Sequence, residues 1–109
     1  MTAIIYKIIT VIWLHWMADF ILQTDAMAKG KSTSNKWLGK HIAVYSACLL
    51  PFGIKFAILN GVAHFITDYF TSRATSKLWK KGDVHNFFVV IGFDQAIHMT
   101  CLILSVVYL

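Results

Sequence analysis

Three histidine–aspartate pairs share one spacing: His15/Asp19, His64/Asp68 and Asp94/His98 are each four residues apart. On a helix, that spacing puts both members on one face about one turn apart. His41 and Tyr45 repeat it, while Gln23 and Asn60 extend the first and third stripes by a further turn. Imidazole nitrogens with carboxylate oxygens suit a divalent cation, Zn²⁺ ahead of Fe²⁺ or Mn²⁺. Cys48 and Cys101 each sit alone in apolar stretches, which argues against an iron–sulfur cluster, a zinc knuckle or a redox pair. The candidate ligands are His15, Asp19, His64, Asp68, Asp94 and His98, more than the four of a closed structural zinc site. The surplus leaves room for an open catalytic position, a second metal, or supporting residues among His41, Gln23, Tyr45 and Asn60. A metal-activated water with a carboxylate base is the chemistry such a set supports, with Asp94 preferred as the base and Asp19 the other candidate.

These residues stand where charge is costly. The chain of 109 residues is 58% hydrophobic and only 14% charged, whereas soluble domains are about 45–50% apolar and about 25% charged. So short a chain has too small an interior to bury that surface in water, and one domain is the sensible count. Four apolar stretches carry the excess, running from Ala3 to Thr24, Trp37 to Phe52, Ile54 to Thr71 and Phe87 to Leu109. A bilayer core needs about 20 helical residues, so the second stretch is short. Pro51-Phe52-Gly53 punctuates a helical hairpin between the second and third. The expected fold is an all-α membrane protein, a four-transmembrane-helix bundle of two tandem hairpins. Ala26-Met27-Ala28 resembles a signal-peptidase site, but His15 and Asp19 interrupt the preceding segment, which reads as a span.

Charge placement orients the bundle. Lys29, Lys31, Lys36 and Lys40 follow the first stretch, and Arg73, Lys77, Lys80 and Lys81 follow the third. Both basic loops fall on one side, cytoplasmic by the positive-inside rule, with both termini outward. Anionic lipid head groups are the expected partners of these loops; nucleic acid is not, for want of a soluble platform. Self-association is left open. At 1.5 Å per residue, His15, Asp19, His41, His64, Asp68, Asp94 and His98 fall in a slab of roughly 10 Å in the cytoplasmic half. An unpaired Asp at a helix centre costs roughly 2.5–3.5 kcal/mol, so these groups face inward, pair or bind something. Trp13, Trp16, Phe20, Phe65, Tyr69 and Phe70 read as lipid-facing or packing residues, and Trp37 and Trp79 as an interfacial belt.

A short pattern recurs: His15-Trp16-x-x-Asp19-Phe20 parallels His64-Phe65-x-x-Asp68-Tyr69. Together with Gln23-Thr24, Met27-Ala28, Lys36-Trp37-Leu38-x-x-His41 and Asp94-Gln95-x-x-His98, it resembles a family of small bacterial and phage membrane proteins described as a domain of unknown function. It is more loosely similar to the SOS-regulated inner-membrane metal-dependent hydrolases, whose additional histidines this chain lacks. The resemblance implies a protein of the bacterial inner membrane and a metal-dependent hydrolase. The expected function is hydrolysis of a lipid or phosphoester near the cytoplasmic leaflet, with Lys40 and Lys36 receiving an anionic head group. Two rivals come from other classes, and the first uses the same residues as a relay. A proton or ion conductor needs a polar route through the outer half, which offers mainly Asn60, Ser46, Thr10 and Ser105. A non-enzymatic phage or stress membrane factor would act through the basic loops.

Overall fold

The computed structural model describes residues 1–109. Helix α1 (Thr2–Trp16) runs directly into a π-helical segment, Met17–Ile21. The short α2 (Asp25–Gly30) and α3 (Asn35–Leu49) follow, then α4 (Ile54–Lys80) and α5 (Val84–Tyr108). No strand is present, and the all-α expectation holds.

Local chemistry sets the boundaries. The Thr24 hydroxyl accepts the Met27 N–H at the start of α2, as a helix cap does. The Asp83 carboxylate accepts from the backbone N–H and side-chain amide of Asn86 and starts α5; those two bonds hold its carboxyl below the usual range. Pro51 sits in the first positions of a 3-10 turn, Leu50–Phe52, where its missing N–H costs nothing. Gly53 then turns the chain into α4 at φ 113°, a conformation open to glycine.

Contacts between helices fix the topology. His41 meets His64, and Ser46 lies against Gly61, so α3 and α4 are antiparallel. Thr71 pairs with Asp94 and Asn60 with Ser105, giving α4 and α5 the same relation. His15 reaches Tyr45 on α3 and Gln95 on α5, which closes a ring of four long helices, α1–α3–α4–α5. Gly61 is the closest approach: a Cβ there would collide with Ser46 Oγ.

Two findings adjust the expectation of four spans. Only Thr2–Ile21, of 20 residues, and Val84–Tyr108, of 25, are long and apolar enough to cross a membrane. Helix α3 has only 15 residues, and the 27 of α4 include a polar C-terminal third. The third element also outruns its expected end at Thr71. No glycine or proline intervenes before Gly82, so the helix continues to Lys80. Arg73, Lys77 and Lys80 therefore ride on the last turns of α4, where cations suit the helix dipole.

The interior is the reverse of a water-soluble bundle. Ten buried residues are polar against eight hydrophobic ones, while Ile4, Trp13, Phe20, Ile58, Ile66, Phe70, Phe88, Phe93 and Leu104 face outward. All of the polar residues but Asn60 form a band in one half. Beyond it Val11, Leu49, Phe56, Ala57 and Leu102 make a closed hydrophobic end.

Candidate metal centre

Four helical segments each deliver side chains to the band. The π-helical segment carries Asp19, α3 carries His41 and Tyr45, α4 carries His64, Asp68 and Thr71, and α5 carries Asp94, Gln95 and His98. An i→i+5 bond from Leu22 N–H to the Met17 carbonyl widens α1 at this level, and both Ala18 and Asp19 become buried. Such one-turn π segments are frequent at functional sites.

Asp19, His41, His64 and Asp68 form the tightest group. Asp19 Oδ1 lies 2.9 Å from His41 Nε2 and 3.4 Å from His64 Nε2. Asp68 Oδ2 lies 3.0 Å from His64 Nε2 and 3.4 Å from His41 Nε2, and the two Nε2 atoms are 3.2 Å apart. Five of the six edges of this tetrahedron thus measure 2.9–3.4 Å. Bonds of about 2.0–2.1 Å to a tetrahedral ion would require edges of about 3.3 Å. Asp19 Oδ1 has no aligned hydrogen bond despite its neighbours, and the outer nitrogens His41 Nδ1 and His64 Nδ1 also lack partners. The four atoms gather about a common centre, with Asp68 Oδ2, His64 Nε2 and His41 Nε2 in mutual contact and Asp19 Oδ1 left without an aligned partner.

His15 plays a different part. Its Nε2–H donates to Gln95 Oε1 at 2.6 Å, and its Nδ1 accepts from the Tyr45 hydroxyl at 3.0 Å. The Gln95 amide in turn donates to Asp19 Oδ2 at 2.9 Å and Asp94 Oδ2 at 3.2 Å. Both ring nitrogens of His15 are therefore engaged, and its helical partner Asp19 is 3.8 Å away. His41, placed among the supporting residues by its spacing, stands inside the tight group instead.

The remaining residues divide clearly. Asp94 Oδ1 accepts the Thr71 hydroxyl at 2.6 Å. His98 stacks on His64 with centroids 3.8 Å apart. The structure does not bring Asn60 to the band: it donates to the Phe56 carbonyl and to Ser105 near the apolar end. Gln23 is half-buried and borders the cavity described next. Thr71, Gln95 and Lys31 are additions that His/Asp spacing did not single out. Gln95 carried a usable signal, an amide inside the most apolar stretch beside Asp94. Lys31 carried none, because only the fold of the α2 segment brings its Nζ to 3.1 Å from Asp68 Oδ2.

A cavity of about 650 Å³ opens onto the band from the α2 end. Asp19, Asp68 and Asp94 line its floor, and Lys29, Lys31 and Lys80 lie on its walls. Thr71, Ser72, Thr75 and Ser76 make one polar side, and Trp79, Phe87, Phe88 and Ile91 an apolar one. Lys36 and Lys40 do not line it; Lys40 rests on the Trp37 ring, 4.4 Å from its centroid. The lysines that do line it are Lys29, Lys31 and Lys80.

Residues 8–109 match the family described as Protein of unknown function (DUF3307), and the chain belongs to that family. No curated protein and no solved structure matches the chain.

Proposed function

We propose that this member of the DUF3307 family is a polytopic protein of the bacterial inner membrane that binds a divalent cation, Zn²⁺ first, and hydrolyses an amphiphilic phosphoester at the cytoplasmic leaflet. The observation that carries this is the tetrahedral gathering of Asp19, His41, His64 and Asp68 at the inner end of a lysine-walled cavity.

The membrane reading rests on the inverted interior. A surface of aromatic and branched aliphatic side chains over a polar core is favourable in lipid and costly in water. Helices α1, α3, α4 and α5 are then the spans, and the lysine-rich end faces the cytoplasm. The short α3 is accommodated by local thinning of the bilayer.

The chain's own groups divide the chemistry. A bound cation polarises a phosphoryl oxygen and lowers the pKa of a coordinated water. Lys31, Lys29 and Lys80 attract and orient the phosphate as point charges. Asp94, steadied by Thr71 and Gln95, takes the proton of the attacking water. His15 and Tyr45 hold Gln95 and through it the carboxylates. Trp79, Phe87, Phe88 and Ile91 receive the apolar part of the substrate. The Val11, Leu49, Phe56 and Leu102 end favours a site entered from one side over a conducting path.

The test is metal analysis of detergent-purified protein prepared without chelators, followed by hydrolysis of phosphate mono- and diester lipids in reconstituted vesicles. We expect bound metal and an activity abolished by chelator, His64→Ala and Asp68→Ala. Metal-free protein, or hydrolysis indifferent to all three treatments, would sink the proposal.

A further inference from the structure

The tight tetrahedral group uses one oxygen of each of its carboxylates. The other oxygens face α5, toward a second set of donors. Asp68 Oδ1 lies 3.4 Å from His98 Nε2, and Asp19 Oδ2 lies 3.7 Å from His98 Nδ1. Asp94 Oδ2 is 3.5 Å from the same His98 Nδ1. Asp68, Asp94 and His98 can present one donor atom each within 4.8 Å of one another. His98 is only 3% exposed, yet neither of its ring nitrogens has an aligned hydrogen bond. A buried imidazole normally finds a partner for at least one nitrogen. This one is surrounded by carboxylate oxygens at ligand-to-ligand spacing and aligned with none.

We infer that the band is a dinuclear centre, in which a second divalent cation is held by His98, Asp94 and the outer oxygen of Asp68; Asp94 is then a ligand, and the second ion takes over from it in activating the water. The inference rests on the first cation proposed above. Asp68 then bridges, giving Oδ2 to the first ion and Oδ1 to the second. Carboxylate-bridged ions sit about 3.5–4 Å apart, which suits attack on a phosphoester between them. Charge supports the count. Three aspartates balance all but one of the four positive charges of two divalent ions, and Lys31 adds another. The centre is thereby left cationic toward the cavity, as an anionic substrate requires. The Gln95 amide, donating to both Asp19 Oδ2 and Asp94 Oδ2, orients the two carboxylates at the edge of the centre.

Stoichiometry decides it. The full chain in detergent is loaded with Mn²⁺, desalted, and assayed for metal per chain and by electron paramagnetic resonance. We expect two equivalents and an exchange-coupled spectrum in the wild type. His98→Ala and Asp94→Asn should each fall to one equivalent and show the signal of isolated Mn²⁺. One equivalent in the wild type, with an isolated signal, overturns the second ion and leaves the first standing. Zero equivalents overturns both. The wild-type measurement decides even where a variant fails to fold.

Discussion

His41 Nε2 lies 2.9 Å from Asp19 Oδ1, closer than Asp19 comes to His15, its own neighbour one turn away at 3.8 Å. The shortest histidine–aspartate approach in the band therefore joins α3 to the π segment that continues α1. A ligand set assembled across helices is rigid only when the helices are packed, so metal binding and bundle stability should be coupled.

That coupling is measurable. Removing metal leaves Asp19, Asp68 and Asp94 buried with too few cations. Ligation to the folded state alone stabilises by about 4 kcal/mol at a thousand times the dissociation constant. Thermal unfolding in detergent should move to higher temperature with added Zn²⁺ and fall with EDTA. A transition unmoved by either would argue that the band is a self-neutralised ion network.

His41→Ala should lose metal as completely as His64→Ala, because both Nε2 atoms stand in the tight group. Tyr45→Phe and His15→Gln should act more mildly, about 10–100-fold in affinity, since they orient rather than ligate. Competition against a chromogenic chelator measures the four constants. Equal losses in all four variants would erase the distinction between ligand and support.

Lys31→Ala removes the ammonium 3.1 Å from Asp68 Oδ2 on the cavity wall. The expected result is retained metal, a raised KM for phosphoester lipid, and weaker dependence of KM on salt. Lys36→Ala, outside the cavity, should leave KM unchanged. Loss of metal in Lys31→Ala would instead make this lysine part of the structural charge balance.

Gly61 lets α4 close on Ser46 of α3, and a methyl group there would meet the Ser46 hydroxyl, which must rotate away. Gly61→Ala should destabilise by about 1–3 kcal/mol, and Gly61→Leu by more, through overpacking. Both should also weaken metal binding, since His41 and His64 sit on the two helices forced apart. Denaturation in mixed micelles and chelator competition test the two effects together. Gly61→Ala at wild-type stability would show that the helices separate easily at this contact.

Membrane residence is checked by fractionation. The protein should stay in the pellet after an alkaline carbonate wash and leave it with detergent. A cysteine at Ser34 should react only with reagents that reach the cytoplasm, and one at Thr2 only with external ones. Release by carbonate would contradict the spanning reading.

How far the sequence reached differs from residue to residue. The helical character of the chain was legible, because apolar runs punctuated by Pro51, Gly53 and Gly82 leave little else. The end of α4 was not, since basic residues look like loop by composition although nothing among them breaks a helix. His64 and Asp68 were legible as a contacting pair at 3.0 Å, because both sit on one regular α-helix. His15 and Asp19 share a face but stand 3.8 Å apart, because Tyr45 and Gln95, from other helices, take up the ring nitrogens of His15. Lys31 could not be placed from its neighbours at all.

What the sequence determined by itself is which groups are polar and how deep they lie. Hydropathy and helical rise are local properties, and they bring His15, Asp19, His41, His64, Asp68, Asp94 and His98 to one level of the bundle. What the tertiary structure decided is which atoms meet. Partner choice depends on the rotation of each helix about its axis, on the π turn that carries Asp19, and on the path of α2 that carries Lys31 to Asp68. None of these is written in a spacing of four. They follow from packing four helices at once, with Gly61 against Ser46 setting how closely two of them approach.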